Sequence, residues 1–163
     1  MRLHRLLPLA LAFVVNGCGG SDSSASTDPN ANGSAGVTNG TFTATINGTN
    51  WSAVGKVAVT RSASIISIAG GSLSYVVSFG TGTANVAGVF PLTYLNPSGA
   101  LAIVSNTSGA SWSTALPGGT GTLTITALTA TRVAGTFVFD APSASGSGNG
   151  TLHVTNGKFD VTF

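Results

Sequence analysis

From residue 40 onward the chain repeatedly alternates apolar with polar side chains, and this period of two constrains its fold most strongly. Residues 41–46 (TFTATI), 122–127 (TLTITA) and 133–139 (VAGTFVF) are clear examples. Successive side chains of a strand point to opposite faces of a sheet, so each run predicts a half-buried strand. Threonine and valine, which recur in these runs, suit such a pleated surface. No stretch after residue 40 has the 3.6-residue apolar period of a helix.

Turn residues separate the runs, and two Asn-Gly pairs predict hairpins because both central residues of a type I′ turn need positive φ. With Asn47-Gly48 as the loop, Ala44 faces Trp51, which places Trp51 in the core. With Asn156-Gly157 as the loop, the outward pair is His153 and Asp160. Many short strands with frequent turns predict an all-β domain over residues 40–163. We expect an antiparallel β-sandwich of about seven to ten strands, with a small up-and-down β-barrel as the alternative.

The N-terminal segment predicts a lipid anchor. After a basic start, residues 6–15 (LLPLALAFVV) form an apolar stretch that fits an export signal and is too short to span a bilayer. Gly17-Cys18 matches the end of a lipoprotein signal, so residues 1–17 are interpreted as a signal peptide and Cys18 as the lipid-attachment site. Gly19, rather than Asp, follows the cysteine, which favours the outer membrane. An ordinary secretory signal with a chance cysteine is the alternative.

Residues 18–39 predict a flexible tether between the lipid and the domain, because this Ser-, Gly- and Asn-rich segment has too few apolar residues to fold. Charged residues make up only 6% of the chain. Once the signal is removed, the basic and acidic side chains balance, so there is no basic patch for nucleic acid. We expect no cofactor and no metal site, since the domain is poor in ligands. The charged residues remaining after cleavage are Lys56, Arg61, Arg132, Lys158, Asp22, Asp28, Asp140 and Asp160.

Two sets of residues are candidates for function. His153 with Asp160 would supply part of a hydrolase triad, although an exposed cross-strand ion pair is the simpler interpretation, and no nucleophile motif accompanies them. Trp112 and Tyr94 lie in irregular segments and are candidates for stacking on a sugar ring, with packing in the core or a loop as the alternative. The outward threonine rows of the strands are a possible surface for a flat polymer or another sheet.

Five short segments follow one another along the domain: 46–51 (INGTNW), 88–92 (GVFPL), 121–126 (GTLTIT), 133–139 (VAGTFVF) and 155–161 (TNGKFDV). In this order they resemble a family of small bacterial β-sandwich lipoproteins whose domain has no assigned function. The resemblance covers most of residues 41–163 and implies a fold and a location but no catalytic residues.

Together these features favour a non-enzymatic, lipid-anchored protein of the cell envelope. Its expected partners are the membrane, through Cys18, and a glycan, protein or other surface component. The domain would face either the periplasm or the cell surface. A structural or adhesive role is the alternative, and a hydrolase using His153 and Asp160 is a third.

Overall fold

The computed structural model describes residues 35–55, 57–62, 65–82, 86–145 and 148–163. These residues belong to one compact unit, Ala31–Phe163. They form twelve β-strands and, within the described ranges, no helix. The strands are β1 (Ala35–Thr38), β2 (Gly40–Ile46), β3 (Thr49–Ser52), β4 (Val57–Arg61), β5 (Ile66–Gly71), β6 (Tyr75–Gly80), β7 (Gly88–Pro91), β8 (Leu101–Asn106), β9 (Ser111–Ser113), β10 (Thr120–Leu128), β11 (Arg132–Ser145) and β12 (Thr151–Thr162).

The strands pair antiparallel in one continuous sheet that curls into a half-barrel. The strand order is β1-β4-β5-β6-β8-β9-β11-β12-β2-β3, and β10 and β7 follow on from β11. We call β1, β4, β5, β6, β8 and β9 the A half, and the other six strands the B half. The 14-residue β11 joins them, because its first part pairs with β10 and its end pairs with β9. The predicted all-β antiparallel fold is confirmed.

Four phenylalanine rings join the two halves in the core. Phe79 comes from β6 of the A half, whereas Phe42, Phe137 and Phe159 come from the B half. The centroid of the Phe42 ring lies 5.6 Å from that of Phe79 and 5.3 Å from that of Phe137, both in the edge-on geometry that aromatic pairs prefer. Each ring is fully or almost fully buried, which stabilises the fold by about 1.5–3 kcal/mol per side chain.

The hairpin predicted at Asn47-Gly48 is confirmed. Ala44 of β2 lies opposite Trp51 of β3, in the predicted register. Asn47 has φ 46° and Gly48 has φ 80°, so both central residues adopt the conformation that a type I′ turn needs. Trp51 is buried, as predicted, with 7% of its surface exposed.

The hairpin predicted at Asn156-Gly157 is wrong, because both residues lie inside the single strand β12. Asn156 has φ 53°, and the register against β2 shifts between Thr155 and Lys158, which marks a β-bulge. The bulge moves the buried positions from even to odd numbers along β12, the same change of phase that a two-residue turn produces. Gly157 meets a packing need, because a Cβ there would clash with the ring and carbonyl of Phe137.

The predicted signal peptide (1–17), Cys18 and the part of the predicted tether up to residue 34 lie outside the described residues. Strand β1, Ala35–Thr38, falls in the last part of that predicted tether and pairs with β4. In the described ranges, no helix is long and apolar enough to cross a membrane.

Candidate functional site

Strand β3 forms one edge of the described sheet, and two concavities meet there. A cleft of about 230 Å³ lies between β3 and the β5–β6 turn. A shallower groove of about 510 Å³ lies along β2, β3 and β12. Because Asn50, Trp51 and Ser52 line both, they make one continuous surface, which we call the β3 site. Ile46, Thr49, Ser72, Ser74 and Tyr75 complete the cleft, and Thr43, Ala44, Thr45, Asn156 and Lys158 complete the groove.

Trp51 fixes the two walls of the cleft relative to each other. Its Nε1–H donates a hydrogen bond of 2.9 Å to Ser72 Oγ and a weaker one of 3.3 Å to the Tyr75 carbonyl. Just beyond β3, the Val54 N–H donates to the Gly71 carbonyl at 2.8 Å. The edge of the B half is therefore fastened to the β5–β6 turn of the A half, and the cleft is largely preformed.

Ser72 organises the turn that forms one wall. Besides the Trp51 indole, its Oγ accepts hydrogen bonds from the N–H groups of Ser74 and Tyr75 at 3.1 and 3.2 Å. Serine commonly stabilises tight turns in this way. The Oγ has two lone pairs and three donors converge on it, so it has no acceptor capacity left for a ligand. Its role is to position Tyr75 and Ser74.

In the cleft, the groups of the described residues that remain available for a ligand are uncharged. Within the described residues, the side chains of Thr49, Asn50 and Ser74 and the hydroxyl of Tyr75 make no hydrogen bond. The Tyr75 ring is partly exposed and rests against the buried Trp112, with centroids 6.4 Å apart. The cleft thus combines a supported aromatic ring with hydroxyl and amide groups, a common composition of small-ligand sites.

The groove extends the row of hydroxyl and amide groups onto the outer face of the B half. Lys158 lies opposite Thr43, and Thr43 lies opposite Ser52, so the three outward side chains form a row across β12, β2 and β3. Asn156 Nδ2 donates a long hydrogen bond of 3.4 Å to Thr45 Oγ1. Among the described residues that line the β3 site, the Lys158 ammonium is the one charge, and there is neither a carboxylate nor an imidazole.

The predicted pairing of His153 with Asp160 is wrong, because the hairpin that would bring them together is not formed. His153 lies opposite Asp140 of β11, with Nδ1 2.6 Å from Oδ1. The two side chains are 61% and 44% exposed and stand on the open outer face of the sheet. The main-chain N–H of His153 is held at 2.8 Å by Asn47 Oδ1. Neither His153 nor Asp140 lines the β3 site.

Asp160 belongs to a second exposed ion pair. It accepts hydrogen bonds of 2.8 Å from both Nε and the Nη2 of Arg132, a bidentate arrangement. These bonds, with the charge of the guanidinium, lower the pKa of Asp160. In the described part of the chain, no group of three or more His, Cys, Asp or Glu side chains is placed to hold a metal.

Trp112 and Tyr94 occupy different environments. Trp112 is 7% exposed in β9, and its indole ring packs closely against Gly148, where a Cβ would come within 2.7 Å of the ring. Tyr94 is 43% exposed in the turn after β7, and its N–H donates to the Gly119 carbonyl. Neither residue lines the β3 site, although Trp112 supports it from beneath Tyr75.

Sequence reasoning missed Tyr75, Asn50 and Ser74 as candidate residues. Leu73, two positions before Tyr75, is 90% exposed in the turn before β6. Gly70 and Gly71, a pair typical of turns, instead end β5, and a Cβ on Gly70 would clash with the Phe42 ring. The available signal was Ser72, a residue that favours turns and stands three positions before an aromatic residue.

Residues 38–161 match the family described as Domain of unknown function (DUF6252). The chain belongs to this family. The DUF6252 match runs from the end of β1 into β12 and so includes every residue of the β3 site. Comparison with curated proteins and with solved structures finds no significant match.

Proposed function

We propose that this protein is a lipid-anchored component of a bacterial cell envelope, held in the outer membrane through Cys18. Its DUF6252 domain binds an envelope or surface component at the β3 site and does not catalyse a reaction. The observation that carries the binding proposal is the continuous surface around β3, where a preformed aromatic cleft adjoins a hydroxyl-rich groove. Preformed concavities with a few polar groups are the usual sites of ligand binding.

The chemistry of the β3 site supports binding rather than catalysis. Its available groups are hydroxyls, an amide and one ammonium, which hold a ligand by hydrogen bonds. A general acid or base needs a titratable group near its operating pH, typically an imidazole or a carboxyl group. His153 and Asp140 stand elsewhere, with side chains that are 61% and 44% exposed, and neither residue lines the β3 site.

The position of the site also suits an anchored protein. The chain enters the described sheet at Ala35, which lies opposite Thr60 of β4, and Thr60 lies opposite Ser67 of β5. The β5–β6 turn is at the other end of β5, about 15 Å away at the rise of a strand. The cleft therefore opens at a distance from Ala35, the first described residue of the chain.

Retention of the purified, non-lipidated Cys18→Ser protein on isolated cell envelopes tests this proposal. Asn50→Ala removes an exposed amide that makes no internal hydrogen bond, and we expect retention to fall about three- to tenfold, the loss of one or two hydrogen bonds. Asn149→Ala is the matched control, an exposed asparagine on the β11–β12 loop. His153→Ala should leave retention unchanged. Equal retention of the Asn50 and Asn149 variants would contradict binding at the β3 site.

A structural or adhesive role is the second candidate, and one observation favours it. Val54 and Leu73, beside the β5–β6 turn, are 74% and 90% exposed, and they stand next to the sheet edge formed by β3. Exposed apolar side chains near a sheet edge are typical of protein contacts. If Leu73→Ser abolishes retention and Asn50→Ala does not, the adhesive role is favoured.

A further inference from the structure

We propose that the ligand of the β3 site is an uncharged glycan chain that crosses strand β3, with one sugar in the cleft and the next in the groove. This inference rests on the proposed function and specifies its ligand. The two concavities meet at Asn50 and Ser52, so a chain that fills both must pass over the sheet edge. A glycan can do this because its successive rings are joined by flexible single bonds.

The described residues that line the cleft carry no charge, which argues for an uncharged ligand. Thr49, Asn50, Ser74 and Tyr75 offer donors and acceptors in similar number, which matches the hydroxyl groups of a sugar. A polyanionic chain would have Lys158 alone as a partner among the lining residues, and one exposed ammonium gives only about 1 kcal/mol of attraction in water. A cationic ligand would meet no carboxylate among these described residues.

Tyr75 supplies the apolar surface that sugar recognition needs. One face of a pyranose ring is lined by C–H groups, and an aromatic ring covers it while the hydroxyls at its rim bond to polar neighbours. Tyr75 is held for this role because its carbonyl accepts from Trp51 Nε1, its N–H donates to Ser72 Oγ, and its ring rests on Trp112. A preorganised ring binds at a lower entropic cost than a mobile one.

An extended peptide that adds a strand to β3 is the competing ligand, and the structure favours it less. β3 has only four residues, and strands of this length resist edge pairing. In an antiparallel strand, the N–H and C=O groups of successive residues point to opposite sides. Only about half of the β3 residues therefore direct these groups away from β2, where an added strand could pair with them. The uncommitted groups of the site belong mainly to side chains, which a glycan uses and an added strand does not.

Titration of the purified protein by NMR and calorimetry tests this inference. The probes are hexamers of β-1,4-linked glucose, α-1,4-linked glucose and β-1,4-linked N-acetylglucosamine, the anionic hexamer of galacturonic acid, and a capped hexapeptide of alternating threonine and valine. We expect a neutral hexamer to bind and to shift the resonances of Asn50, Ser74 and the Tyr75 ring. Asn50→Ala should weaken it about fivefold and Tyr75→Ala at least tenfold.

Tyr94→Ala and Asn149→Ala are the matched controls and should change the affinity less than twofold. If Tyr75→Ala fails to fold, Tyr75→Leu serves instead, because it keeps an apolar side chain but removes the flat ring, and it should weaken binding at least fivefold. The inference is overturned if no neutral hexamer binds at millimolar concentration, or if the galacturonate or the peptide binds instead. It is also overturned if the Asn50 and Tyr75 variants bind a neutral hexamer as tightly as the wild type. If these probes fail while retention on envelopes still depends on Asn50, the glycan inference alone is wrong. If retention on envelopes does not depend on Asn50 either, the proposed binding site around β3 is wrong as well.

Discussion

The indole N–H of Trp51 donates a 2.9 Å hydrogen bond to Ser72 Oγ, and this contact fastens an edge strand of one half of the sheet to a turn of the other. The two residues are 21 positions apart in sequence. Without this contact, β3 would be held by its pairing with β2, by the bond from Trp51 Nε1 to the Tyr75 carbonyl and by the bond from the Val54 N–H to the Gly71 carbonyl. The Ser72 hydroxyl is therefore one of the hydrogen-bond acceptors that hold the two walls of the cleft together.

Ser72→Ala should destabilise the protein by about 1–2 kcal/mol, because the buried indole N–H and two N–H groups of the turn lose their shared acceptor. Urea unfolding followed by tryptophan fluorescence measures the change. Ser74→Ala is the matched control, since its exposed hydroxyl makes no hydrogen bond in the described structure, and should stay within about 0.5 kcal/mol of the wild type. Equal effects of the two substitutions would show that Ser72 does not organise the turn.

Gly157→Ala should destabilise the protein by about 1–3 kcal/mol, because a Cβ there would clash with the ring and the carbonyl of Phe137. Gly88→Ala in β7 is the control, since the nearest atom to its Cβ would be Phe90 Cζ at 3.7 Å, an ordinary contact. Thermal unfolding compares the two variants. A Gly157→Ala protein as stable as Gly88→Ala would contradict the close approach of Phe137 to the bulge.

Arg132→Gln should reduce stability at neutral pH and leave it unchanged in strong acid. Hydrogen bonds from Arg132 lower the pKa of Asp160 in the folded protein. A carboxyl group whose pKa is lowered on folding stabilises the protein at pH values above its unfolded pKa, about 3.9. This stabilisation is lost as the pH falls through the pKa of the folded state. Denaturant unfolding at pH 7 and at about pH 2 measures the difference. Lys158→Gln is the control. It removes a positive charge from β12, the strand of Asp160, but Lys158 is not the salt-bridge partner of Asp160, so the effect on stability should not follow this pH profile.

Cys18→Ala should move the protein from the membrane fraction to the soluble fraction, because several acyl chains on one residue hold a protein to a bilayer firmly. Protease treatment of intact cells then reports the orientation of the wild type. Cleavage on whole cells indicates display at the surface, whereas protection until the outer membrane is broken indicates a periplasmic partner and removes the adhesive alternative. A Cys18→Ala protein that remains in the membrane fraction would contradict the anchor.

The sequence predicted the antiparallel strands well because burial on one face alone imposes a period of two. The same logic failed at Asn156, since a bulge and a tight turn change the phase of alternation identically. What decides between them is the Phe137 ring above Gly157, a contact between strands that no local pattern contains. At Asn47 both central residues adopt positive φ and the turn forms as predicted.

The β3 site could not be predicted, because its existence depends on which strand ends the sheet. The sequence placed Trp51 in the core correctly, but it contains no sign that the Trp51 indole reaches across to Ser72. The sequence predicted Trp112 to lie in an irregular segment, where its ring could stack on a sugar. In the structure Trp112 belongs to β9 and is buried against Tyr75. The aromatic residue that lines the cleft is Tyr75, at the start of an otherwise ordinary strand.

The most direct measurement is photocrosslinking in living cells from the β3 site of the anchored protein. A benzophenone-bearing amino acid at position 49, an exposed residue lining the cleft, inserts into C–H bonds of whatever lies there, and position 149 is the matched control. We predict an adduct of higher mass from position 49 and little or none from position 149. Equal labelling from the two positions, or labelling from position 149 alone, would contradict the claim that this protein binds its ligand around strand β3.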